Sequence, residues 1–398
     1  MCAEENWRLE RARALACARV VLVKVGSAVL SDPQGLAVEI MESIAGQMAA
    51  LRELPLPTDL CAQGPRRLVL VSSGAVAAGR AALAACQKSV DASLAARQAA
   101  ASVGQGRLMQ EWEKAFTAHK MLTAQILLTR DDFRSRIRTR NARNTFTLLL
   151  DWGVIPVVNE NDTVSVSELK FGDNDCLAGL LLELIGADLF VNLTTAPGVL
   201  AADPRLAPNA PVMDHINDVA ALDLGKLCGG KSAAGAGGMY SKLLAARRAA
   251  QIGVPTLILP GRTLHVLTRA FALTVDQTLG TWVRAAGRAI PRRKFRLAYQ
   301  TEPVGSVDVD AGAALALLHK GGSLLPGGVR NVDGAFSKGA LVRITHEGNN
   351  LGVGLSNYSA VDLRKIMGLK RHQVAAILND GNYPEVIHRD NLLLNAAV

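Results

Sequence analysis

Aromatic residues make up only 4% of the 398-residue chain, and no two cysteines stand in a Cys-x-x-Cys pair. The scarcity of aromatics argues against an aromatic-lined binding surface. Six scattered cysteines (Cys2, Cys17, Cys61, Cys86, Cys176 and Cys228), none at metal-ligand spacing from a histidine, read as reduced thiols of a cytosolic protein. No run of 18 apolar residues occurs, so no membrane span is expected. Glu4, Glu5 and Glu10 interrupt the N-terminal arginines, unlike a secretory signal or an acid-poor transit peptide. The seven histidines form no cluster, and no Ser/His/Asp pattern stands out.

Glycine is abundant at 36 residues, and 49% of the chain is hydrophobic. That balance points to a loop-rich α/β enzyme with a sizeable core, and the length fits two domains. The net charge of +9 favours anionic ligands without choosing among nucleotides, acidic metabolites, nucleic acid and membrane.

Short apolar runs alternate with helical stretches. Strands are expected over Arg19–Val25, Arg67–Val71, Val154–Val158, Leu189–Leu193 and Thr256–Leu259, with a helix over Leu36–Glu53. Nearly continuous apolar strands separated by helices imply a doubly wound, mostly parallel sheet with helices on both faces. Ligands of such a sheet bind at the carboxyl ends of its strands. Near residue 300 the texture changes. Two short strands (Val307–Asp310, Leu341–Thr345), one helix (Ala313–His319) and several Gly-rich turns read as a small β-rich module, with Pro291–Lys294 as linker. The domains expected are 17–290 and 300–385.

The expected strand ends are polar: Lys24-Val25-Gly26-Ser27, Ser72-Ser73-Gly74, Asn159-Glu160-Asn161-Asp162 and Thr194-Thr195. Each alone is ordinary turn chemistry, but all converge on the edge where a ligand binds. Lys24 is the sharpest point. It lies in VVLVKVG (20–26), a stretch with no other charge, and a buried lysine needs an anion. Aimed at phosphate, it would have Gly26 beside it to let backbone N–H groups approach. Gly172-Asp173-Asn174-Asp175 precedes an apolar helix and holds more polar residues than one N-cap needs. Gly235 to Lys242 is a glycine-rich turn opening a helix, a ready anion site. Gly225–Ser232 matches the Walker A pattern letter for letter, but it lacks the strand before and the helix after that the motif requires, so a loop is expected instead.

Taken together, these motifs resemble the bacterial-type glutamate 5-kinases, an amino-acid kinase domain followed by a PUA domain. The resemblance runs from about Val20 to Val386. Its stretches are VKVGS (23–27), SSGAVAAGR (72–80), VGQGRLMQEWE (103–113), VIPVVNENDTV (154–164), FGDNDCLAGL (171–180), ADPR (202–205) and GAGGMYSK (235–242), then DAGAALALL (310–318), GGSLLPGGV (321–329) and VDGAFSKGALV (332–342). The pairing of NEND with GDND separates glutamate kinases from carbamate, uridylate and aspartate kinases.

The resemblance implies ATP-dependent phosphorylation of the L-glutamate γ-carboxylate, the first step of proline biosynthesis, with Mg2+ bound chiefly through ATP. It implies that Lys24 and Lys242 flank the transferred phosphoryl group and that Asp175 orients both. Ser73, Asp162 and Asn174 then contact glutamate, while Lys24, Gly26, Thr194, Thr195, Ala236, Gly237, Gly238, Met239, Tyr240, Ser241 and Lys242 contact the nucleotide. Proline as inhibitor, a homo-oligomer and transient contact with glutamyl phosphate reductase are further implications. Thr195 stands where the family usually has Asp. Ala236 and Tyr240 replace the commoner Thr and Ser, and Leu54–Arg66 is a longer connection than usual. The length leaves no room for an appended reductase domain, so a single-function form is expected. Two other readings compete. One is RNA binding by the basic C-terminal module (Lys320, Arg330, Lys338, Arg343, Arg364, Lys365, Lys370, Arg371), which lacks interleaved stacking residues. The other keeps the fold and changes the acceptor to another carboxylate.

Overall fold

The computed structural model describes residues 3–33, 35–57, 64–164, 174–228, 238–272, 277–287, 289–291, 294–295, 303–378 and 385–394. The chain divides into two compact units, Met1–Ala289 and Ile290–Val398. In the first, the strands are β1 (Val20–Val25), β2 (Ser31–Asp32), β3 (Gly35–Leu36), β4 (Arg67–Ser72), β5 (Thr123–Leu128), β6 (Ile155–Glu160), β7 (Leu189–Thr194), β8 (His215–Ile216), β9 (Thr256–Pro260) and β10 (Thr281–Val283). Eight of them form one sheet in the order β5-β6-β4-β1-β7-β9-β10-β8, and β2 pairs with β3 in a small hairpin. Every pairing in the large sheet is parallel except β9 with β10. The expected doubly wound, mostly parallel sheet is therefore present, with an antiparallel step near one edge.

The two faces of β1 differ. Val21, Val23 and Val25 enter one core cluster with Met41, Ile44 and Met48 of the helix Val38–Glu53 and with Leu108 and Trp112 of the helix Leu94–Thr117. Because side chains alternate along a strand, Leu22 and Lys24 point to the opposite face. There the helix Asn174–Ile185 packs against β1 and against the helix Met239–Gln251. The chain leaves β1 for β4 on one side and later returns to β7 on the other. The strand order thus reverses at β1, and a crevice opens at the carboxyl ends of β1, β4 and β7.

Three glycines fix the helix that follows β4. Gly74 caps the helix Ala75–Ala85 with φ +114°, a left-handed conformation costly for other residues. Further along, a Cβ on Gly104 would lie 1.8 Å from the Ala75 carbonyl oxygen, and one on Gly79 would lie 1.7 Å from that of Ala100. The helices Ala75–Ala85 and Leu94–Thr117 therefore cross with backbones in contact. Gly104→Ala is expected to destabilise the protein by about 1–3 kcal/mol, the usual cost of overpacking. An unchanged denaturation midpoint would refute this close crossing.

The second unit holds a five-stranded sheet of β11 (Gly305–Val309), β12 (Val329–Gly334), β13 (Leu341–His346), β14 (Asn349–Leu355) and β15 (Leu392–Leu394), in the order β12-β11-β13-β14-β15. Its core joins Val307, Val342 and Ile344 to Leu317, Leu363 and Ile366 of the covering helices. Asp310 is not strand, as expected from sequence, but the N-cap of the helix Ala311–Lys320, accepting from Ala313 N at 2.7 Å. Gly321 ends that helix at φ +60°. Within the basic set of this unit, the Arg364 guanidinium donates to the carbonyls of Val332 and Gly334, and Lys365 pairs with Asp362.

Candidate active site

Lys24 and Lys242 meet at one carboxylate. Lys24 Nζ lies 2.5 Å from Asp175 Oδ1, and Lys242 Nζ lies 3.2 Å from Asp175 Oδ2. All three residues are buried, at 1%, 3% and 0% exposure. Asp175 occupies the first turn of the helix Asn174–Ile185, and Lys242 the first turn of the helix Met239–Gln251. Burial by itself would raise the Asp175 pKa. The charges of Lys24 and Lys242 and hydrogen bonds from Lys24 and Ser241 outweigh it, so the carboxyl stays ionised well below the usual carboxylate range. Two ammonium groups thus meet on one carboxylate at the crevice.

A cleft of about 270 Å3 opens beside this centre, lined among others by Lys24, Gly26, Ser73, Arg97, Asp162, Asn174, Thr194, Thr195 and Lys242. Asn174 ties its floor together: its Nδ2 lies 2.9 Å from Ser73 Oγ and 2.9 Å from Asn159 Oδ1. Asn159 in turn donates to Gln105 Oε1 at 2.8 Å. Beneath, Trp112 Nε1 donates to Ser72 Oγ at 2.8 Å, linking the β4 end to the core helix. Asn174 Oδ1 is buried without a partner, an acceptor left for a donor such as an ammonium group. At the rim, burial pushes the Asp162 carboxyl up, and the nearby Arg97 charge partly offsets it.

Other expected contacts vary. Thr194 is buried at the end of β7, while Thr195 is exposed on the cleft wall. The Gly26 N–H donates to the Leu193 carbonyl at 3.2 Å, so it is spent within the sheet and not presented as a free donor. Gly238 caps the helix Met239–Gln251, and Ser241 Oγ sits 2.7 Å from Asp175 Oδ2 and 2.8 Å from Gly238 O. Met239 and Tyr240 are partly buried against the cluster of Val199, Ile216 and Leu243. Ala236, Gly237 and Asp173 lie outside the described residues. So does the Walker-like stretch beyond Cys228; its earlier half, Gly225–Cys228, belongs to the short helix Leu224–Cys228. Asn192, Arg97, Asn159 and Gln105 belong to the site without being individually expected there. The available signal was strongest for Asn192, a polar residue isolated in the apolar strand LFVNLT.

The amino acid kinase family model matches residues 19–260 and the PUA domain model residues 305–378. The chain is 58% identical over 394 residues to a protein of Nitratidesulfovibrio vulgaris named glutamate 5-kinase, covering 99% of this chain and 100% of that one. Proteins of the same name from Oleidesulfovibrio alaskensis, over the same shares of both chains, and Maridesulfovibrio salexigens, over 98% and 99%, are 53% and 48% identical.

Proposed function

The chain belongs to the amino acid kinase family and, within it, to the glutamate 5-kinases, and from that premise we propose that it transfers the γ-phosphoryl group of ATP to the γ-carboxylate of L-glutamate, opening proline biosynthesis in the cytoplasm. The observation that carries this reading is the buried Lys24–Asp175–Lys242 centre beside the cleft. A carboxylate acceptor, with an unperturbed pKa of about 4.3, is already ionised at neutral pH and needs no general base. The barrier is the approach of one anion to another, and it falls when positive charge is held ready where negative charge gathers.

In this mechanism glutamate lies across Ser73, Asn174 and Asp162. The Asp162 carboxylate and the unpartnered Asn174 Oδ1 receive its ammonium group. The γ-carboxylate then attacks the γ-phosphorus in line as the bond to the β,γ-bridging oxygen breaks, giving γ-glutamyl phosphate and ADP. Lys24 and Lys242 neutralise the transferring group from either side, and Asp175 keeps the two ammonium groups at a fixed spacing. Thr194, Thr195 and the stretch 236–242 border the nucleotide. Among the described residues no three His, Cys, Asp or Glu side chains group to hold a metal. A magnesium ion carried mainly on the ATP phosphates would supply further positive charge there.

Proline, an amino acid that shares the ammonium and α-carboxylate of glutamate, would compete for the same contacts. Self-association finds support in β5, a sheet-edge strand beside the exposed Leu122 and Trp152. The test is ADP release with ATP and magnesium, comparing L-glutamate, aspartate and N-acetylglutamate with hydroxylamine present. Glutamate-dependent ADP with trapped γ-glutamyl hydroxamate is expected. Turnover of another acceptor alone would keep the fold and overturn the substrate.

A further inference from the structure

Asn192 is fully buried in the middle of β7, where its neighbours are Leu189, Phe190, Val191 and Leu193. It is the register partner of Lys24 on β1. Paired residues on adjacent strands project from the same face of a sheet, so both side chains reach the helix bearing Asp175. Asn192 Nδ2 donates to Asp175 Oδ1 at 2.9 Å, the same oxygen that Lys24 Nζ meets. The other oxygen, Oδ2, takes Lys242 Nζ and Ser241 Oγ. Each carboxylate oxygen thus receives one ammonium group and one neutral donor, which together match the roughly four lone-pair sites of a carboxylate.

We propose that Asn192 is a positioning residue for phosphoryl transfer, acting through Asp175 to fix where Lys24 and Lys242 present their charge. With Oδ1 held from two strands, β1 and β7, and Oδ2 held by two donors of the helix Met239–Gln251, the carboxylate cannot rotate without breaking a bond on both sides. Asn192 does this without charge, so it adds no anion beside the two ammonium groups that would face the phosphoryl group. Packing alone is a poor reason for the residue. Its own Oδ1 is buried with no partner, a cost that leucine of similar volume would avoid. The inference rests on the reading of Lys24 and Asp175 given under Proposed function.

The test uses the full chain and the coupled ADP assay, with Lys24→Ala measured alongside. Asn192→Leu is expected to lower kcat about tenfold, the scale of losing one hydrogen bond to a charged group. KM for both substrates should stay within about twofold, and the melting temperature should hold or rise, since a strained polar atom has been removed. A purely structural role would instead lower the melting temperature and leave kcat of the folded fraction intact. Asn192→Asp has the same shape and serves if the leucine variant is insoluble. There a carboxylate replaces the donor beside Asp175, and kcat falls at least as far. Wild-type kcat in a folded variant, with Lys24→Ala inactive, overturns this role and leaves the proposed reaction standing. Full activity of Lys24→Ala overturns the reading on which both depend.

Discussion

Lys24→Ala lowers kcat about 10²–10³-fold, the scale set by removing one preorganised charge contact from a water-poor site. The size of the effect follows from where Lys24 is. At 1% exposure it is sheltered from the solvent that would screen it, and its Nζ is locked on Asp175 before substrate arrives. No reorganisation is then needed as charge builds on the transferring group. The variant still folds, because Asp175 keeps Lys242, Ser241 and Asn192 as donors and the loss leaves no uncompensated charge. KM for glutamate should move little, since the contacts proposed for the amino acid, Ser73, Asn174 and Asp162, do not include Lys24. Steady-state kinetics with both substrates varied checks this. Turnover close to wild type in the folded variant would remove Lys24 from the mechanism.

How much of this centre could be read from sequence depends on whether a residue looks out of place locally. Lys24 does, being the one charge in VVLVKV, and Asp175 does, because the helix start carries more polar residues than a cap uses. That the two meet could not be read from periodicity, since 151 residues separate them and only the sheet order brings them together. Asn192 sits in an equally apolar strand, but an uncharged amide raises no alarm there until its donor is seen on a carboxylate. The central strands were legible because they are buried on both faces. β5 was not: its pattern is half-exposed, as suits a sheet edge, and TAQILL lacks the continuous apolar run. β8 and β10, of two and three residues, are too short to show a period, so the antiparallel pairing of β10 with β9 leaves no signature in the sequence. The donor expected at Gly26 failed for a related reason. Sequence gives the glycine but not the neighbouring strand, whose Leu193 carbonyl takes the N–H.

Asp175→Asn should lower stability by about 3–5 kcal/mol, the cost of breaking a buried ion pair from one side. Asparagine keeps the shape of the side chain, so the loss is not that of a cavity. It arises because Lys24 and Lys242 both lose the buried carboxylate they share, where desolvation and mutual repulsion add. The pH dependence has a definite sign. Asp175 is ionised to lower pH in the folded protein than in the unfolded chain. Its contribution is therefore fully present above the unfolded aspartate pKa of about 3.9 and is lost only as pH falls through the lower folded value. Between pH 6 and 8 the gap between wild type and variant should accordingly stay constant as far as this group is concerned. ATP should narrow it. Its phosphates bring to the two lysines the negative charge that asparagine cannot supply, and a ligand bound only by the folded state stabilises it in proportion to its affinity. Thermal unfolding with and without saturating ATP and magnesium should thus show a larger upward shift in Asp175→Asn than in the wild type, while turnover of the variant stays low because its ammonium groups are no longer held at their working spacing. A variant as stable as the wild type without nucleotide would mean that the lysines do not depend on Asp175, and the arrangement proposed for catalysis would lose its anchor.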